Sequence, residues 1–267
     1  NIFFFHQFFL SILNFKKISI IKLSLIQIDL ICKALKMNNS LLNCYQKIYL
    51  ILDKHSESYK SVELIEQFRQ YWRPEKVNVI LLAESHVFTS NTDRSFKLND
   101  VEDDDAPLSD YPDSYAKFVY CLAYGEETLT KGDNHPAKAD GTPQFWKILY
   151  SCINKVESNE SFFPILKSGT KAPSERIRNK IKLLLELKKQ GIWLVDTSII
   201  ALYNKGIKPS NDVFNRVIKT SWSHYTKNLI SDAKPNHVII VGKGVAKNIE
   251  SSLSSLVGSN NYTIIPQ

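Results

Sequence analysis

The sequence predicts an α/β domain: a three-layer sandwich with a central four-stranded parallel sheet. Two observations predict it. Short segments rich in Val, Ile and Leu recur at 77–83, 192–195, 237–241 and 262–265, and amphipathic helical patterns lie between them. Strands separated by helices join in parallel through right-handed crossovers. A strand covered on both faces reads as a continuous apolar run, as Val77 to Ala83 does.

Residues 1–36 mix Phe, Ile, Leu and Lys and stand apart from this pattern. Their apolar runs are broken at Lys16, Lys17 and Lys22, before the roughly 20 residues a bilayer span needs. The stretch is expected to be translated upstream sequence, with synthesis starting at Met37. The other reading is a targeting or membrane-surface segment. A single domain without a membrane segment is expected over 37–267, and a monomer.

From Leu41 to Trp72 the spacing is helical. Leu42, Tyr45, Ile48, Tyr49 and Leu52 share one predicted face, and Leu64, Ile65, Phe68 and Trp72 form a second stripe that Pro74 ends. The first strand, 77–83, runs into Glu84-Ser85-His86 at its carboxyl end, the edge where open α/β sheets bind ligands. Residues 91–144 form a long polar connection with an acidic run (Asp100, Glu102, Asp103, Asp104, Asp105, Asp110), expected to be a solvated loop.

A helix over 144–156 would bury Phe145, Ile148, Leu149 and Ile153. Another over 174–190 has Ser174 as its expected N-cap and closes on lysines and Gly191. The strand at 192–195 leads into Asp196-Thr197-Ser198. A helix near 211–233 precedes the strand at 237–241. Gly242-Lys243-Gly244 then turns into a helix over 245–256, before the last strand at 262–265.

The charge and cysteines narrow the function classes. The net charge is +7, but five lysines and one aspartate place +4 of it in residues 1–36, leaving +3 for the rest. Such a domain is compatible with DNA as a partner without demanding it. Cys32, Cys44, Cys121 and Cys152 show no C-x-x-C pair. That scatter suits a reducing intracellular compartment, cytoplasm or nucleus, and argues against a cysteine-based zinc site. His135, His224 and His237 lack metal-ligand spacing. No metal and no cofactor are expected.

Three segments resemble the uracil-DNA glycosylase superfamily, closest to its mismatch-specific thymine/uracil branch. V-N-V-I-L-L-A-E-S-H at 77–86 resembles the strand and turn that carry the family's first catalytic motif. Q-F-W-K-I-L-Y at 144–150 resembles its N-x-F-W-K helix, and G-I-W-L-V-D-T-S at 191–198 the strand ending in a base-reading asparagine. A fourth, H-V-I-I-V-G-K-G-V-A at 237–246, resembles the stretch before the last motif. Together they span about 190 residues. The resemblance implies a uracil-DNA glycosylase-like α/β fold and excision of a flipped base by hydrolysis of its N-glycosidic bond.

The departures are specific. On the family's G-Q-D-P or G-x-N-P turn, Ser85 takes the catalytic Asp/Asn position and His86 replaces the proline, with Glu84 beside them. Asp196 stands where the asparagine is expected. The last motif, histidine then proline, would begin near Pro266-Gln267, so the sequence is expected to be truncated or divergent there.

Bond cleavage develops a cationic sugar and an anionic base, which calls for a carboxylate or held water at the sugar and donors at the base. Glu84 is the candidate base, Ser85 the holder of water and His86 the group that polarises the leaving base. The alternative has Glu84 and His86 pairing with each other or with backbone amides. Asp196 is the candidate base-reading group. A lone carboxylate only accepts, so it would disfavour uracil by about 1–3 kcal/mol and suit a base bearing an amino group. Its structural alternative is a helix cap through Thr197-Ser198. Phe145 is a candidate base-stacking ring, with core packing the expected fate of Phe145 and Trp146 at this spacing. Lys243 is a candidate phosphate ligand at a helix N-terminus.

Two rival classes remain open: a binding module of the same fold without catalysis, and a hydrolase using Glu84 and His86, which would need distant ligands to complete a metal site.

Overall fold

The computed structural model describes residues 37–52, 55–99, 108–132, 134–136, 139, 141–203 and 209–266. The readings of 1–36 and of the acidic residues 100–105 lie outside them. The chain divides into two compact units, Asn1–Asn43 and Cys44–Gln267. In the first, residues 37–43 are helical. The second holds the helical residues 44–52 (α1), then α2 (Tyr59–Tyr71), β1 (Val79–Ala83), a short α3 (Asn91–Arg94), α4 (Pro143–Ser151) and α5 (Pro173–Gln190). After these come β2 (Ile192–Asp196), α6 (Asn211–Ser221), α7 (Lys227–Ala233), β3 (His237–Val241), α8 (Lys243–Val257) and β4 (Tyr262–Ile265).

The four strands make one all-parallel sheet in the order β2-β1-β3-β4. Helices pack against it, α5 on β2 and α8 on β3 and β4, consistent with a three-layer α/β arrangement. Ile80, Leu82, Trp193, Val195, Val238 and Ile240 are fully buried along the inner strands, while β4, with Ile265 exposed, forms an edge. In the register between β1 and β2, Ala83 pairs with Asp196, so the carboxyl tips of the two strands end level. Thr197 continues the ladder beyond the strand, its backbone N and its Oγ1 both donating to Ala83 O at 2.7 Å.

Several local expectations change. The buried face of α1 carries Cys44 and Ile48, whereas Tyr49 is 43% exposed. The inward stripe is therefore turned away from the face the aromatic residues suggested. Helix α5 starts at Pro173, with Ala172 as N-cap and no capping side chain, so Ser174 is not the cap. A proline at the first helical position lacks the N–H that a cap would satisfy. Helix α4 ends at Ser151, short of Ile153. The connection after β1 is more than a loop: Lys97 bridges to Ser114 and Leu98 to Thr130, and its chain supplies the buried Tyr115, Phe118, Tyr120 and Cys121. A π-helical turn, Trp222–Thr226, joins α6 to α7.

The turn from α5 into β2 rests on Gly191. It adopts φ 78°, and its carbonyl accepts from Asn78 N at 2.8 Å and Val79 N at 3.0 Å. A methyl group there would lie 2.5 Å from Asn78 Nδ2 and 2.7 Å from Lys76 O. Left-handed backbone and close approach both require glycine. Gly191→Ala is expected to cost about 1–3 kcal/mol of stability, read as a lower urea midpoint at unchanged slope.

Candidate functional site

The level tips of β1 and β2 place the residues just beyond them side by side. A pocket opens there with about 290 Å³ of empty space, part of it continuous with solvent. Its lining includes Ser85 and His86 after β1, Asp196 at the end of β2, Phe145 from α4, Phe118 from the long connection and Thr142.

His86 is the centre of this site. Its side chain is fully buried, and Nε2 lies 2.7 Å from Glu57 Oε1. Glu57 precedes α2, and the same Oε1 accepts from Ala201 N at 2.7 Å. Nδ1 lies 3.6 Å from Asp196 Oδ2, beyond hydrogen-bonding distance, and has no hydrogen-bond partner among the described residues. The Phe118 ring stands edge-on to the imidazole at 6.2 Å between centroids.

Asp196 is held by Arg69, whose Nη2 donates to Oδ2 at 3.2 Å. Arg69 also pairs with Glu66 one turn away on α2, stacks at 5.7 Å over Phe118 and is buried throughout. Glu66 and Asp196 thus face the guanidinium, while Glu57 and Asp196 face His86. Burial of the ring opposes its charge, but Glu57 and Asp196 outweigh that, holding the imidazolium up to about 9. Burial likewise opposes charge on Arg69, while Glu66 and Asp196 drive its pKa higher still.

Four of the residues singled out from sequence therefore meet at one pocket: Ser85, His86, Asp196 and Phe145. Ser85 Oγ accepts from Leu202 N at 3.4 Å. Trp146, beside Phe145, is buried in the core with Lys180 Nζ 4.9 Å from its ring. Two do not join. Glu84 is absent from the lining. Its backbone oxygen accepts from Ser198 N at 2.9 Å, and its carboxylate, together with burial, raises the Tyr203 hydroxyl to about 12. Lys243 is the exposed first residue of α8 and lies outside the lining.

The expected alternatives also resolve. His86 pairs with Glu57 rather than Glu84. Asp196 caps no helix, because Thr197 and Ser198 lie in bends and spend their side chains on Ala83 O and Ile200 O. Among the described residues no group of three or more His, Cys, Asp and Glu side chains is placed to hold a metal ion. No helix among them is long and apolar enough to cross a membrane.

Glu57, Arg69, Thr142 and Phe118 were not singled out from sequence. For Arg69 a signal existed: Glu66 and Arg69 fall on the stripe of Val62, Ile65, Phe68 and Trp72, where polar residues must be paired inside. Glu57 lies just before α2 and carries no comparable periodic mark. No family model, curated protein or solved structure matches the chain.

The buried imidazolium makes stability depend on pH with a definite sign. A ring that titrates at 6.5 when unfolded and at about 9 when folded contributes fully below 6.5, and loses that contribution as pH rises to about 9. The stability of the wild type relative to His86→Gln is expected to fall across that window by on the order of 1–3 kcal/mol. Urea unfolding of both proteins at a series of pH values measures it.

Proposed function

We propose that the protein is a uracil-DNA glycosylase-like enzyme that releases a base from DNA by hydrolysing its N-glycosidic bond. The observation that carries this reading is the convergence of His86, Asp196 and Phe145 on one small pocket at the carboxyl tips of β1 and β2. That edge is where open α/β sheets bind ligands, and the motif segments meet there. A base turned out of the helix would enter between the Phe145 and Phe118 side chains, an apolar setting for its ring.

The chemistry follows from charge. Water attacks the sugar carbon, the carbon–nitrogen bond breaks with its electron pair leaving on the base, and the proton the water gives up ends on the departing base nitrogen. The His86 imidazolium, buried at the pocket, stabilises that developing negative charge far better than solvent would. Ser85 stands at the mouth of β1 as a hydroxyl able to hold the water. Asp196 faces the base edge. Lys117 on the pocket lining and the exposed Lys243 would meet phosphates of the bound strand.

One observation favours a second reading, a nucleic-acid-binding module of the same fold without catalysis. Among the described residues Asp196 is the only carboxylate on the lining, and it is already engaged by Arg69. The serine at position 85 offers no charge to a cationic sugar.

Incubation with a panel of deaminated and mismatched DNA duplexes, scored for alkali-labile abasic sites, decides between them. The enzyme reading expects abasic sites from at least one duplex, and a loss of about 10²-fold in rate for His86→Gln, the scale of removing one preorganised donor. Salt-sensitive binding to every duplex with no abasic site would leave the binding module standing instead.

A further inference from the structure

Two neighbouring residues on the pocket lining, Ser85 and His86, are joined a second time by a path that leaves the β1 tip and returns to it. His86 Nε2 lies 2.7 Å from Glu57 Oε1. The same oxygen accepts from Ala201 N at 2.7 Å, and the next amide, Leu202 N, donates to Ser85 Oγ at 3.4 Å. Ser85, Leu202, Ala201, Glu57 and His86 thus form a closed ring of contacts drawn from three separate parts of the chain. One carboxylate oxygen holds both an imidazole and a backbone amide.

The segment that carries those amides is buried and irregular. Ile199, Ile200, Ala201 and Leu202 are buried, and they belong to neither helix nor strand. Without a ladder, their amides need side-chain acceptors. Ser221 Oγ serves Ile199 N at 3.2 Å, and Ser198 Oγ serves Ile200 N at 3.3 Å. Glu57 and Ser85 serve the other two. Of these four acceptors Glu57 is the ionisable one, and a hydrogen bond to a charged acceptor is about twice as strong as a neutral one. The grip on Ala201 therefore depends on how the Glu57 charge is balanced.

His86 supplies the balance. Glu57 faces the imidazole from the segment before α2 and Asp196 from β2, while Phe118 packs edge-on from the long connection. The other cations nearby are taken: Arg69 pairs with Glu66 and Asp196, and Lys117 with Asp93. Beyond Leu202, the Tyr203 hydroxyl is raised by burial and by the Glu84 carboxylate. Burial favours a neutral imidazole, but Glu57 and Asp196 keep it protonated up to about 9. Once it discharges, Glu57 is a buried carboxylate without a counter-charge, and it is costly where it stands. Ala201 N is bound to that same oxygen.

We propose that this ring of contacts is a proton-operated coupling between His86 and Ser85. With His86 cationic, Glu57 holds Ala201 and Leu202 docked. Ser85 Oγ then accepts from Leu202 N, and its own O–H is free to donate into the pocket. With His86 neutral, the two amides loosen and the Ser85 oxygen is left as an acceptor. The coupling does not depend on what the pocket binds, so it stands apart from the excision reading.

Amide and histidine-ring spectra of the ligand-free protein, recorded from pH 7 to 10, test the coupling. The His86 imidazole is expected to titrate near 9, and the Ala201 and Leu202 amide protons to shift with the same midpoint. Leu202 N, whose acceptor is Ser85 Oγ, reports the far end of the path. Hydrogen exchange at both amides, corrected for its intrinsic rise with pH, is expected to quicken by about 5- to 150-fold, the usual span of coupling between two sites. Ile199 N, held from α6 by Ser221, is expected to change far less. In His86→Gln the shared midpoint is expected to vanish. An imidazole that titrates while Ala201 and Leu202 stay still overturns the proposal, as does one that does not titrate in this range. Equal quickening at Ile199 also overturns it, because that marks general loosening of the chain. If His86→Gln does not fold, the wild-type titration still decides.

Discussion

The arrangement at the tips of β1 and β2 depends on one constraint: a carboxylate at the end of a buried strand needs a counter-charge within reach. Asp196 is almost fully enclosed, and its counter-charge comes from Arg69 on α2, 127 residues earlier. That pairing sets the position of α2 over the sheet, because Arg69 is buried along its whole length and its own carbonyl accepts from Trp193 Nε1 at 2.9 Å on the same strand. With α2 placed, the chain before it brings Glu57 to His86. Helix, strand tip and imidazole are thus fixed by one run of charges. Removing one member of such a run strands the others, which costs far more than the run contributes as a whole.

A second buried charge group shows why this run forms a site and another does not. Glu126 receives Arg176 Nε at 2.7 Å and Lys180 Nζ at 2.6 Å, and so fastens the long connection to α5. Arg176 also donates to Thr170 O at 2.6 Å, and Lys180 lies over Trp146. Burial pulls the Lys180 ammonium down while Glu126 holds it up. The arms of that group end on protein, and it lies outside the lining of the pocket at the β1 and β2 tips. At His86 the count differs, since Nδ1 and one oxygen of Glu57 have no partner among the described residues. Buried charge is common structural glue, whereas buried charge left unsatisfied beside a cavity is an unfinished bond.

Much of the fold was legible because continuous apolar strands and helix-stop signals are local. The segments at 237–241 and 262–265 coincide with β3 and β4, and Gly191 closes α5 with positive φ as its position suggested. The strand-tip rule also brought Ser85, His86 and Asp196 to one place, since it depends only on where strands end. What escaped was set by pairing across distance. Residues 41–72 read as helical throughout, and so hid the break before Tyr59 that carries Glu57. Burial of Cys44 and Ile48 in place of Tyr49 has the same origin, because an amphipathic stripe gives a period and not the partner that settles its phase.

The charges around His86 and Asp196 also bear on the serine at position 85. A carboxylate at that half-buried position would add a fourth negative group beside Glu57, Glu66 and Asp196, with Arg69 and His86 already paired. Each added charge in that low-dielectric setting would raise the cost of keeping the others ionised. Ser85 avoids the conflict and anchors the neighbouring chain through Leu202 N. Under the proposed excision, a cationic sugar would then be met by water and by the field of the existing carboxylates, and the larger share of any rate enhancement would fall on the leaving base.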